Sequence, residues 1–286
     1  MGLQRDSKGL ESPCEKEVVV GGEEADDEEL PAGEATQFRG MAATANYLAL
    51  DRTDIQYAAK EICRHMSKPT TRGRERLKRL ARYLLVYPRL VWRYTNEPRE
   101  DEDTLDVFSD SDWAGDRVSR KSTSGGVAVL VGGTVKSWSS TQSTIAMSVG
   151  EAEYYALVKA AAEALGMQSL ARDLGWDLRI RLWVDSTTAQ AITARLGLGK
   201  VRHMEVKYLW AQQAYRDGRF EVRKVKGEEN PADIDTKPKT GSEMKEQLAR
   251  IGGTFRKRAA ESGPWESMVD LPRIRWAEAQ DESEAD

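Results

Sequence analysis

Cysteine is scarce in this 286-residue sequence, and its scarcity excludes two classes of protein. Cys14 and Cys63 form no CxxC or zinc-like spacing. Neither a disulfide framework nor a cysteine metal centre is expected, and a reduced intracellular setting fits. Long apolar runs are absent as well. None approaches the ~20 residues that a membrane span requires, so no membrane association is expected. The N-terminus has no basic stretch followed by an apolar one, so no secretory signal is expected.

Basic charge is missing from both ends. Residues 1–36 hold 3 Lys/Arg against 11 Asp/Glu, a net of −8, and residues 259–286 hold 2 against 8, a net of −6. The overall charge of −4 therefore conceals a central stretch, 37–258, of net +10. A basic body between solvated acidic ends suits a nucleic-acid binder, and equally suits ordinary surface charge. Residues 1–36 have no apolar periodicity beyond Val18–Val20 and are expected to be disordered. So is the acidic tail that follows a C-terminal helix within 241–286, unless its Trp265 and Trp276 dock a partner.

Between the tails the period changes once. Residues 37–98 read as helical, with apolar sets Ala43, Tyr47, Leu48, then Ile55, Ala58, Ala59, Ile62, then Leu77, Leu80, Ala81, Leu84. Pro69 separates the last two sets. A polar linker is expected at 95–103. From 104 the pattern becomes alternating. A strand at 105–108 leads into Ser109, Asp110, Ser111, Asp112 and Trp113, and Gly132 with Gly133 joins two further strands as a hairpin. Ser148 opens a long helix, with Glu151 completing a capping box and Gly175 as its stop. A strand at 179–184 ends at Asp185, which precedes a helix at 187–194. A helix at 204–217 with Val206, Leu209 and Trp210 on one face follows, then a strand at 220–225 and a short helix opened by Pro231. The order β-β-β-α-β-α-α-β-α implies an α/β fold, a mixed sheet flanked by helices.

Four acids stand where strands end and helices begin: Asp110, Glu153, Asp185 and Asp233. Sites on open α/β sheets gather at such places. Carboxylates brought together repel unless divalent cations join them, and Mg²⁺ takes such oxygen ligands. Each acid also has a plainer reading. Asp185 and Asp233 suit helix caps, Glu153 suits the positive end of a helix dipole, and Asp112 suits a turn. Trp113 and Trp138 read as core residues.

The stretches SDSDWAGDRVSRKSTSGG (109–126), SWSSTQSTIAMSVGEAEYYAL (137–157), WVDSTTAQAI (183–192) and VKGEENPADIDTKP (225–238) together resemble the RNase H domain of copia-type long-terminal-repeat retrotransposon Pol polyproteins. That likeness runs over 104–240. The segment RGMAATANYLALDRTDIQYAAKEICRHMSKPT, within 37–98, is similar to the end of the reverse transcriptase in the same polyproteins. The resemblance implies an RNase H-like, five-stranded mixed sheet flanked by helices. It makes Asp110, Glu153, Asp185 and Asp233 the catalytic and metal-holding acids, with Glu151 in the capping role. It implies two Mg²⁺ ions, with Mn²⁺ as a substitute, and hydrolysis of the RNA strand of an RNA–DNA hybrid to leave a 3′-hydroxyl and a 5′-phosphate. It also implies the rest of the Pol polyprotein as a partner, and an intracellular location in a cytoplasmic particle or the nucleus.

Two features depart from wider patterns. The catalytic aspartate pair of the reverse transcriptase is not in this sequence, which excludes an intact polymerase. Many cellular RNases H carry a histidine in the loop before the last aspartate, where this chain has Lys226, Gly227, Glu228, Glu229 and Asn230. Candidate nucleic-acid contacts are Arg117, Arg120, Lys121, Arg202 and Lys207 for phosphates, and Ser122, Thr123 and Ser124 for phosphate or sugar. His203 either touches nucleic acid or caps a helix. Competing readings are a catalytically silent, nucleic-acid-binding or interaction module derived from a retrotransposon, and a DNA-directed nuclease on a related fold.

Overall fold

A computed structural model of the chain describes residues 7–15, 27–94, 103–199 and 201–256. The expected linker, apart from Asp103, and the tail bearing Trp265 and Trp276 lie outside the described residues. In chain order the elements are α1 (Ala32–Leu48), α2 (Thr53–Cys63), α3 (Thr71–Val86), β1 (Arg89–Trp92), β2 (Thr104–Ser111), β3 (Thr123–Leu130), β4 (Gly133–Thr141) and α4 (Val149–Asp173). Then come β5 (Arg179–Val184), α5 (Thr187–Ala194), α6 (Trp210–Arg216), β6 (Glu221–Lys224), α7 (Gly241–Arg250) and β7 (Gly253–Arg256). They form two compact units. The first contains α1, α2, α3, most of α7, and the antiparallel β1–β7 ribbon; the second contains residues 94–236 and 250–252.

The helical unit is built on helix-to-helix burial. Ile55, Ala59, Ile62, Leu77, Leu80 and Tyr83 are almost wholly inaccessible. Thr70 caps α3 by accepting the Gly73 amide at 3.3 Å. At its centre Asp54 accepts two hydrogen bonds from Arg52, at 2.8 and 2.6 Å, and one from the Tyr83 hydroxyl at 2.8 Å. A carboxylate so placed is tolerated because its lone pairs are taken by charge-assisted donors. The α1 stripe differs from expectation. Ala43, Tyr47 and Leu48 face outward, and Ala35, Phe38, Ala42 and Ala45 are buried. The buried face thus combines one large aromatic, Phe38, with three alanines that let neighbouring helices approach closely. Parts of 1–36, expected to be disordered, are held on this unit. Arg82 Nε donates to Lys8 O at 2.7 Å, the Leu30 amide donates to Pro69 O at 2.9 Å, and α1 already begins at Ala32.

The second unit is a five-stranded sheet in the order β4-β3-β2-β5-β6. β4, β3 and β2 are antiparallel neighbours, while β5 lies parallel to both β2 and β6. β2 is central, which explains its nearly continuous burial. The β3–β4 turn uses Val131 at φ 51° and Gly132 at φ 76°, the double left-handed conformation of a tight hairpin turn. Ser148 caps α4 by accepting the Glu151 amide at 3.2 Å, and Gly175 follows the helix at φ 81°. The inward face of α4 carries Ala152, Ala156, Ala160, Ala161 and Ala164, all at 0% exposure, which lets the helix lie close to the sheet. The 204–217 segment departs from expectation. It is a 3₁₀ turn at Val206–Tyr208 followed by the shorter α6, so Val206 and Trp210 are exposed and Ala211 and Gln212 are buried. Residues Pro231–Asp235 form a 3₁₀ helix with Pro231 at its start.

Candidate active site

Parallel pairing of β2 with β5 sets Phe108 opposite Trp183. Two residues further along each strand stand Asp110 and Asp185, so the register delivers both acids to the same sheet edge, one strand spacing apart. Glu153 arrives from the first turns of α4. Single carboxylate oxygens of Asp110, Glu153 and Asp185 lie within 4.8 Å of one another. Asp110 and Glu153 are buried, and Asp185 is partly exposed. Three acids this close favour a bound cation, because their mutual repulsion rises as water is withdrawn. The donor set is all oxygen, which suits a hard divalent ion such as Mg²⁺ or Mn²⁺. Asp233, at the edge of full burial in the Pro231–Asp235 turn, stands outside this three-acid group.

A layer of polar groups holds the acids in place. The Thr236 hydroxyl donates to Asp110 Oδ2. Asn230 donates its amide to Ser109 O at 2.9 Å and accepts the Ala232 amide at 3.2 Å, which ties the Pro231–Asp235 turn to β2. Gly125 makes that approach feasible. A Cβ there would sit 2.8 Å from Ala232 O and 2.9 Å from Asp235 Cβ. Gly227 does the same for the 225–230 loop, since a Cβ on it would lie 3.1 Å from Asp185 Oδ2. On the other side of β2, Gln142 Nε2 donates to Ala152 O at 2.8 Å and to Ser124 Oγ at 3.0 Å, joining β3 to α4.

The candidate nucleic-acid contacts divide sharply by exposure. Arg117, Arg120, Arg202, His203 and Lys207 are exposed and Lys121 is half-buried. Ser122, Thr123 and Ser124 are not presented to a ligand as expected: they are buried, at 0%, 4% and 2% exposure. The Ser122 hydroxyl accepts the Ala114 amide at 3.0 Å, and Ser124 serves Gln142. Strand-end hydroxyls that close turns are consumed by the backbone they satisfy. Asp112 accepts the Thr123 amide, as its turn reading required. Asp116 organises the same loop by accepting the Val118 and Ser119 amides, each at 3.2 Å. Trp138 is buried as expected and lies over Gly126; Trp113 is 50% exposed.

Thr236, Asn230, Gln142 and Asp116 were not singled out by the sequence reading. Thr236 carried a signal, a hydroxyl one residue beyond the acidic pair Asp233 and Asp235. Gln142 carried none, because its partners, Ser111, Ser124 and Ala152, come from β2, β3 and α4.

No family model matches the chain. Among curated proteins it is 30% identical over 225 residues to the retrovirus-related Pol polyprotein from transposon RE1 of Arabidopsis thaliana, a match covering 77% of this chain and 15% of that protein. It is 30% identical over 209 residues to the corresponding polyprotein from transposon RE2 of the same plant, covering 71% and 14%. The chain thus spans about a seventh of the length of the polyproteins it matches. Among solved structures, LC11-RNase H1, isolated from compost by a metagenomic approach, covers 47% of this chain and 93% of its own, at 17% identity and a TM-score of 0.34. Family membership rests on the sequence relatives. No helix among the described residues is long and apolar enough to cross a membrane. The chain belongs with the copia-type retrovirus-related Pol polyproteins, and its 94–236 unit is an α/β body on a five-stranded mixed sheet.

Proposed function

We propose that the α/β unit is a divalent-cation-dependent endoribonuclease that hydrolyses the RNA strand of RNA–DNA hybrids, leaving a 3′-hydroxyl and a 5′-phosphate. One observation carries this reading: oxygens of Asp110, Glu153 and Asp185 converge within 4.8 Å at the end of the sheet. These residues would hold the metal, as two Mg²⁺ ions or their Mn²⁺ equivalents, with Asp233 contributing from the neighbouring turn. Divalent cations bound there would supply an activated water at neutral pH and neutralise charge on the leaving oxygen. The remaining work falls to the chain. Thr236 fixes the orientation of the Asp110 carboxylate. Gly227 admits the 225–230 loop to the flank of Asp185. Arg117, Arg120, Lys121, Arg202 and Lys207 attract the phosphate backbone.

The rest of a Pol polyprotein is the proposed partner, since the chain spans only part of its relatives. The setting is proposed as intracellular, in a cytoplasmic particle or the nucleus, where the free thiols Cys14 and Cys63 would stay reduced. The test offers the full chain labelled RNA–DNA hybrid, double-stranded RNA and double-stranded DNA, with Mg²⁺ or Mn²⁺. Metal-dependent loss of the hybrid's RNA alone, abolished in Asp110→Asn, is the expected result. Hybrid binding without cleavage, unchanged in Asp110→Asn, overturns it in favour of a silent binding module. Cleavage of duplex DNA overturns the substrate class.

A further inference from the structure

Residues 201–209 carry the exposed Arg202 and Lys207, and they are fastened to α4 by contacts from far along the chain, among them the Tyr154 hydroxyl donating to Tyr208 O at 2.8 Å and the buried Met204. His203 Nε2 lies 2.8 Å from Glu151 Oε2, and the Glu151 side chain is only 1% exposed. The same carboxylate accepts the Met147 amide at 3.0 Å and the Tyr155 hydroxyl. The Tyr155 ring packs on Tyr208, centroids 4.2 Å apart. Tyr208 Oη in turn lies 3.3 Å from both Ser143 Oγ and Thr144 Oγ1, and Thr144 donates to Glu205 at 2.9 Å. Residues 142–148 are held from the opposite side too, since Trp113 Nε1 donates to Ala146 O at 3.2 Å.

One short loop is therefore the common anchor of two basic segments. Trp113 ties it to the loop of Arg117, Arg120 and Lys121; His203, Glu205 and Tyr208 tie it to Arg202 and Lys207. The helix leaving that loop carries Glu153. The ring of His203 is engaged with a buried carboxylate, and beside it Arg202 and Lys207 are exposed, the Lys207 ammonium lying 2.9 Å from Glu205.

We propose that His203 is a positioning residue: through Glu151 and residues 142–148 it holds Arg202 and Lys207 in register with the three-acid cluster, so that a nucleic-acid backbone meets the cluster at a set distance. This rests on the endoribonuclease reading above. The experiment compares the full chain with His203→Ala and His203→Gln, measuring steady-state cleavage of labelled hybrid, hybrid affinity, and backbone hydrogen exchange. His203→Ala is expected to raise KM about tenfold, to keep kcat within about twofold, and to speed exchange across 201–209. His203→Gln, which can still donate to Glu151, restores both KM and protection. A fall in kcat with KM unchanged would overturn the proposal, because His203 would then act on the reacting atoms. So would a salt slope reduced by about one with exchange unaltered, the mark of a direct phosphate contact. Should the wild type cleave nothing, the enzymatic reading fails by itself; exchange and hybrid affinity still decide whether His203 positions the basic segment.

Discussion

Inside the helical unit buried carboxylates are brought to cations, and at the end of the sheet in the α/β unit three carboxylates are brought to one another. Asp54 meets Arg52 and the Tyr83 hydroxyl. Glu61 meets Lys60 at 2.7 Å, with Arg64 and Arg76 each at 3.3 Å. Single oxygens of Asp110, Glu153 and Asp185 come within 4.8 Å of one another, with the Thr236 hydroxyl on Asp110. The first arrangement stabilises its own fold. The second costs stability by like-charge repulsion and becomes favourable when a cation arrives. The same residue type thus reads as structure or as chemistry according to what the fold sets beside it.

The contrast should show most strongly in Asp185→Asn. Cleavage of hybrid is expected to fall by more than about a thousandfold. The melting temperature should hold or rise without added metal, because one repulsive charge is gone. A substantial loss of thermal stability in this variant would break the comparison. Asp54→Ala should do the reverse, destabilising the helical unit by about 3 kcal/mol as the buried Tyr83 hydroxyl loses its acceptor and the half-buried Arg52 loses its counter-charge. Urea unfolding followed by circular dichroism measures it, and a change under about 1 kcal/mol would show that the pair is not the keystone of that unit.

A smaller effect sharpens the α/β side. Thr236→Val keeps the volume and removes the hydroxyl that holds Asp110, so hybrid cleavage or metal affinity should drop roughly 10–100-fold, as for other groups that orient metal ligands. Unaltered rates across a Mg²⁺ titration would deny Thr236 that role. The smallest effect is one of pH. Burial pushes the Glu61 carboxyl up, but Lys60, Arg64 and Arg76 outweigh it and hold the group below its ordinary range. Its contribution is therefore present above the ordinary carboxylate pKa and lost as pH falls through the lower, folded-state value. Thermal melts of Glu61→Gln and the wild type should converge on acidification, and a constant gap across that range would contradict the assignment.

Much of this was legible in the residues. The Ser148 cap, the Gly175 stop and Pro231 at the head of its turn stand where local backbone preferences put them, while the hairpin turn falls one residue earlier than Gly132–Gly133, on Val131 and Gly132. Failures occurred where packing overruled pattern. The buried face of α1 went to Phe38 and three alanines rather than to Tyr47 and Leu48, and a 3₁₀ turn rotated Val206 out to solvent. Ser122, Thr123 and Ser124 looked like ligands for a duplex because a sequence cannot show that all three are buried, nor that the Ser122 hydroxyl is spent on the Ala114 amide and the Ser124 hydroxyl on the Gln142 side chain.

By itself the sequence determined where strands end, where helices start and which acids stand at those junctions, since caps, turns and alternation act over a few residues. Only the tertiary structure decided that Asp110, Glu153 and Asp185 share one point while Asp233 stands outside their group. The same holds for His203 and Glu151, which meet across 52 residues of chain. Such meetings depend on parallel strand register and on the seat of α4 over the sheet, both set by burial of side chains distant in sequence.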